Sequence, residues 1–306
     1  MTAGSVTGTG GPKDDDDLTR EEIRELEERL AKAKFRLEGN AADASSPTAG
    51  PGFTSQSNHF LLLLSDSALP LGSFAFSSGL ESYLAHTRVA HISQPEFGRI
   101  FLPLSVSSYA ATTLPFLLAA HRNPEDLEYL DDAHDAALMC TVGRRASVAQ
   151  GRALLGIWER SFASSGAKTP RSSEEEVLRK FGRLLRISSA GASSNKSSGG
   201  APPPVSAHLA PLYGAVARLV GLSLEQTAYV FVLGHIKALV SAAVRASMFG
   251  PYRAQQILAS TEVQSLIAAV IEREWHTSAE EAGQTEPVMD LWIGRHEMLY
   301  SRIFNS

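Results

Sequence analysis

The stretch from Ser223 to about Met248 sets the terms for everything around it. Ser223-x-x-Gln226 reads as a capping box, in which each residue's side chain satisfies the other's backbone N–H at a helix start. The helix it opens is apolar almost all the way round. A helix without a polar face has to be covered on every side, so this one is expected at the centre of a helical assembly. Gly250-Pro251 breaks it.

The remaining segments keep the same period. The apolar run Phe60 to Leu64 opens the series, and Ser93-Gln94-Pro95-Glu96 is a second helix start. Phe97 to Ala120 is helical in tendency, with Pro103 and Pro115 expected to kink or divide it. Asn123-Pro124 starts another helix, in which Leu127, Leu130, His134, Ala137 and Leu138 hold the three-four spacing. Val142–Phe162, His208–Val220 and Tyr252–Trp275 come next as helices, and 277–290 reads as polar linker. Alternating strands and hairpin dipeptides such as Asn-Gly are missing. The expected fold class is all-α, a helical bundle.

Two regions depart from that pattern. Residues 1–54 are rich in Gly, Ser and Thr with an acidic run, Asp14 to Asp17, and are expected to be a disordered arm. Within them Thr19-x-x-Glu22 caps one charged helix near 20–38, and Gly39–Gly52 is linker. Residues 163–207 are expected as a flexible insertion in the 55–306 domain. They are rich in Ser, Gly, Ala and Pro around one amphipathic stretch starting at Ser173.

Charge and cysteine content narrow the functional classes. Residues 1–54 carry a net charge of −4 and the remainder −1, without the basic excess of a nucleic-acid binder. Cys140 is the single cysteine, which excludes an internal disulfide and fits a reducing compartment. A secretory signal and an unbroken apolar run of about 20 residues are both lacking, so a cytoplasmic address without a membrane span is expected.

One connection stands apart from ordinary loops. Leu69-Pro70-Leu71-Gly72-Ser73-Phe74-Ala75-Phe76-Ser77-Ser78-Gly79-Leu80-Glu81 links two helices yet is apolar. Pro70 fixes φ, Gly72 and Gly79 permit unusual backbone, and Phe74 and Phe76 share a side if the chain is extended. Such a loop either packs on its own core or meets a partner. Its pattern resembles the signature of the UreF family of urease accessory proteins. The C-terminal run His296-Glu297-Met298-Leu299-Tyr300-Ser301-Arg302-Ile303-Phe304-Asn305-Ser306 resembles the same family's ending. The resemblance covers roughly residues 56–306.

The UreF resemblance implies an all-α, homodimeric, non-catalytic protein of nickel delivery to urease. It would bridge a UreD/UreH-type scaffold and a UreG-type GTPase, regulate that GTPase, and reach the urease apoprotein through the complex. Nickel would pass through internal tunnels, with no tightly bound cofactor. Pro70, Gly72, Ser73, Phe74, Gly79 and Glu81 are implied as partner-binding, as are His296, Glu297, Tyr300, Ser301, Arg302 and Phe304. Phe74 stands where bacterial members often carry tyrosine, so that hydroxyl's hydrogen bond is not available here. Gly294 and the polar linker point to a C-terminal tail that is loose in the free protein and docks on assembly.

Other chemistry competes with this reading. Ala75-Phe76-Ser77-Ser78-Gly79 imitates the nucleophile elbow of α/β-hydrolases, which would make Ser77 a nucleophile. The elbow needs a strand and a parallel sheet that are not readable, and Ser77 and Ser78 read better as helix caps. An unrelated helical scaffold is the other alternative. A phosphate-binding Gly-x-x-x-x-Gly-Lys-Ser/Thr is absent. The nine histidines are scattered and do not outline a closed metal site. His235, Lys237 and Arg245 lie on the apolar helix and form a candidate polar lining of an interface where subunits meet, since a buried cation needs a partner or a wet cavity.

Overall fold

The helix around which the others pack is Leu102–Arg122, not Leu224–Arg245. The computed structural model describes residues 56–86, 96–163, 173–194 and 205–305, and among these every regular element is helical. In order they are α1 (Gln56–Ser65), α2 (Leu80–His86), α3 (Leu102–Arg122), α4 (Leu127–Ala137), α5 (Thr141–Ile157) and α6 (Ser173–Ser194). Next come α7 (Leu209–Leu219), α8 (Leu224–Arg245), α9 (Pro251–Leu258), α10 (Thr261–Glu274) and α11 (Pro287–Arg295). Single π-helical turns, Phe97–Phe101 and Trp158–Phe162, precede α3 and extend α5. The charged helix expected at 20–38, its flanking linker, the cap at Ser93 and residues 195–204 lie outside the described residues.

Fourteen of the 21 residues of α3 are buried, against α7, α8 and α10. Small side chains explain how the neighbours come so close. Gly214 of α7 sits where a Cβ would fall 2.2 Å from the carbonyl oxygen of Leu117. α8 buries one side, with Val232, Ile236 and Leu239 in the core, while Gly234, Ser241 and Arg245 reach the surface. Its capping box forms as expected: Ser223 Oγ accepts from Gln226 N at 3.1 Å, and Gln226 Oε1 accepts from Ser223 N at 2.9 Å. Contrary to the expectation of no such run, Phe97–Arg122 and Leu224–Arg245 are each long and apolar enough to cross a membrane. Within the protein 67% and 61% of their apolar windows are buried, as in core helices.

Several boundaries differ from expectation for physical reasons. α3 runs through Pro115 unbroken, and Pro103 follows directly on the π-turn Phe97–Phe101 without ending the helix. The segment 252–275 is two helices, because Ser260 Oγ accepts from Val263 N at 3.3 Å and restarts the chain. The polar linker ends sooner, since Pro287 begins α11. The helix within 163–207 is part of the main core: Leu178 and Phe181 of α6 are buried there, as are Val205 and Ala207 just before α7.

The start of α7 is held by a clasp. Asp131 of α4 is fully buried, and its carboxylate accepts from the N–H groups of Ser206 (2.6 Å), Ala207 (3.0 Å) and His208 (2.6 Å). Converging amides at a helix start favour an anion. They hold Ala207 at φ 71°, a left-handed conformation that a residue with a Cβ resists. Beside the clasp His208 Nε2 donates to Asp135 at 2.8 Å and Ser147 Oγ donates to His208 Nδ1 at 3.1 Å. Burial works against the Asp135 charge, but the hydrogen bonds from His208 and Arg144 outweigh it and hold the carboxyl below its usual range.

Candidate functional site

The two motifs, some 220 residues apart in the chain, meet at Glu81. Its carboxylate accepts from His296 Nε2 at 2.9 Å, from Ile303 N at 2.6 Å and from Phe304 N at 3.1 Å. The loop before it is fastened by the same tail, for Asn305 N donates to the carbonyl of Ala75 at 2.8 Å. Arg245, at the end of α8, donates to the carbonyl of Phe74 and lays its guanidinium 4.3 Å from the centre of the Phe304 ring. Glu81 is brought to this place by α2, whose start is fixed by Ser77: its Oγ accepts from Glu81 N at 3.4 Å. Ser77 is thus a buried cap, and the described residues hold no sheet to make it a nucleophile.

The backbone of the tail is therefore packed, not loose. His296 is fully buried and Phe304 is 4% exposed. Glu297 pairs with Arg145 of α5, which holds its carboxyl below the ordinary range. Arg302 uses its fork on the tail itself, donating to the carbonyls of Leu299 (3.2 Å) and Glu297 (2.7 Å). What the packing leaves outside is apolar: Phe74 is 64% exposed, Ile303 also 64%, and Tyr300 fully so, with Met298 and Leu291 nearby in sequence and also exposed. Pro70 and Ser301 are exposed. Gly72 turns the chain at φ 76° with open space around it, whereas Gly79 (φ 86°) lies where a Cβ would come 3.1 Å from α11. Ser73 ties the loop to α5 through Gln150 Oε1 at 2.8 Å.

Behind the loop lies a cavity of about 280 Å³, lined from the loop by Leu69, Leu71 and Phe76 and from the bundle by Tyr109, His134 and His235. His235 stacks on Tyr109, rings 3.9 Å apart, and meets Ser105 Oγ at 3.1 Å. Burial drives its pKa down to about 3. His134, stacked on Phe116, is held near 3 as well, by burial and then by neighbouring His208. Neither His134 nitrogen has a hydrogen-bond partner. Burial also raises the Tyr109 phenol, so these groups are neutral at pH 7. Lys237 reaches the same cavity and donates to the carbonyl of Ser65 at 2.6 Å. Of the three residues expected to line an interface, His235 and Lys237 face the cavity, while Arg245 serves the tail. Among the described residues no group of three or more His, Cys, Asp or Glu side chains is placed to hold a metal.

Sequence reasoning missed Asp131, Gln150, Arg145 and Asn305. Only Asp131 left a signal: it falls on the same helical face as Leu127 and His134, where a carboxylate has to be satisfied.

The UreF family model matches residues 99–262. A UreF-like urease accessory protein of Schizosaccharomyces pombe is 37% identical over 81% of this chain and 97% of its own length. Urease accessory protein F of Arabidopsis thaliana is 32% identical over 79% of this chain and 90% of its own. A bacterial UreF, from Paenarthrobacter aurescens, is 28% identical over 79% and 95%.

Proposed function

The chain belongs to the UreF family, and from that premise we propose that it is a non-catalytic adaptor in assembly of the urease nickel centre. It bridges a UreD/UreH-type scaffold and a UreG-type GTPase and regulates that GTPase. It works in the cytoplasm as a homodimer, and nickel is cargo that passes through the accessory complex to the urease apoprotein. The observation that carries this reading is the junction at Glu81. It welds the opening loop and the C-terminal tail into one surface whose buried half is structural and whose outer half is apolar. Aromatic and aliphatic side chains offered this way are the anchors of protein interfaces. On this reading Phe74, Tyr300 and Ile303 meet partners, while His296, Phe304 and Arg302 hold the tail.

That division dictates the test. Deleting residues 296–306 would remove buried groups and confuse folding with docking. The triple substitution Phe74→Ala, Tyr300→Ala, Ile303→Ala touches only exposed side chains. It should abolish co-purification with both partners on a sizing column, and urease activation in a UreF-deficient strain, while the thermal midpoint stays within a few degrees. Retention of both partners by the triple variant would overturn the assignment.

A further inference from the structure

We propose that the loop 66–79 is a lid on the interior cavity and that the C-terminal tail is the strap that holds it closed. The loop has two working faces. Leu69, Leu71 and Phe76 form part of the cavity wall, and Phe74 borders the cavity as well but leaves 64% of its surface to solvent. Between its helical ends the loop has no ladder of backbone hydrogen bonds to the bundle. It closes locally, Ala75 N on Gly72 O at 2.9 Å and Phe76 N on Ser73 O at 3.2 Å. The short turn so formed is flanked by left-handed residues, Gly72 (φ 76°) on one side and Ser78 (φ 49°) and Gly79 (φ 86°) on the other. Such residues are where a chain changes direction, and with little backbone pairing the closed position depends on the packing of Leu69 and Leu71 against the core and on a few polar links.

The polar links to the rest of the protein are therefore decisive. Ser73 holds to Gln150 of α5. Two further links run through the tail: Asn305 N binds Ala75 O directly, and Arg245, which binds Phe74 O, is backed by the ring of Phe304. The tail in turn hangs on the Glu81 carboxylate by three donors. Hydrogen bonds to a charged acceptor are stronger than neutral ones, so loss of the charge weakens all three together. Glu81 is thus a positioning residue for the lid: it acts on the loop through the tail, with no contact to the cavity. A partner that grips Phe74 on the outer face, or Tyr300 and Ile303 on the strap, bears on the elements that bound the cavity. This last step rests on the docking proposed above, whereas the strap itself does not, and the two fail separately.

The test uses the full chain with Cys140→Ser and Leu71→Cys, which leaves one thiol on the inner face of the lid. Its labelling by a bulky maleimide reports opening. Added Glu81→Gln should speed labelling about tenfold or more, the weight of one charge-assisted hydrogen bond. Asn305→Pro, which deletes the donor to Ala75 O and leaves Glu81 intact, should speed it as well. Far-UV circular dichroism should be unchanged, and the faster labelling should appear without urea. If neither variant labels faster than its parent, or if labelling accelerates only in step with global unfolding in urea, there is no lid. Should Glu81→Gln fail to fold, Asn305→Pro decides alone. Faster labelling with unaltered partner binding would keep the strap and remove its link to docking.

Discussion

Lowering the pH from 7 to 5 should remove about 4 kcal/mol of stability through two histidines that the fold keeps neutral. In the unfolded chain both titrate near 6.5, while in the native protein burial holds His134 and His235 near 3. Proton counting gives the sign. Below pH 6.5 the unfolded state binds protons that the native state refuses, so stability is complete above that value and falls with the pH. Each group contributes roughly 2 kcal/mol of loss between pH 7 and pH 5, at about 1.4 kcal/mol per unit once the unfolded histidine is mostly charged. Other groups titrate too, so the clean measurement is a difference. His134→Leu removes one titration and also the two unpartnered ring nitrogens, so the variant should be no weaker than the parent at pH 7. Urea unfolding of both at the two pH values should show the parent losing about 2 kcal/mol more than the variant on acidification. Equal losses would mean that His134 takes up its proton in the native state, and that the cavity wall is wetter or more yielding than its packing indicates.

Asp131→Asn should cost about 3–5 kcal/mol in urea unfolding, since an amide NH₂ would face buried backbone donors in place of a charged acceptor; a loss under about 1 kcal/mol would mean the clasp is dispensable. Gly214→Ala should lower the thermal midpoint through roughly 1–3 kcal/mol of overpacking, because its Cβ would meet the Leu117 carbonyl, a backbone atom that moves only with α3; an unchanged midpoint would show that α3 and α7 separate freely.

The helical class was legible because periodicity survives every local irregularity, and the caps at Ser223 and Pro124 mark where helices start. The identity of the central helix was not. α8 is the more apolar by inspection, but centrality depends on how closely neighbours can approach, and α3 carries Ser105, Ser108, Ala110 and Ala111 where partners need room. The role of α6 was hidden by its low-complexity surroundings, although Val177, Leu178, Phe181, Leu184 and Leu185 already traced an apolar stripe, of which Leu178 and Phe181 are buried and the rest half-buried. At the site, the two motifs were readable singly. That Glu81 of one is the acceptor for the backbone of the other was not, because the donors are main-chain N–H groups that every residue but proline owns. The tail read as a loose arm in part for the same reason, and in part because the partners of His296, Glu297 and Phe304 lie far away in the chain.

The clasp at Asp131 also bears on how such a chain can change over time. Because α4, and not the preceding residues, decides where Ser206 to His208 sit, the polypeptide re-enters the bundle at an address written elsewhere. The phase in which α7 starts is thus inherited from a carboxylate some seventy-five residues upstream, so selection that preserves the packing of α7 on α3 acts on Asp131 of α4 as much as on α7 itself.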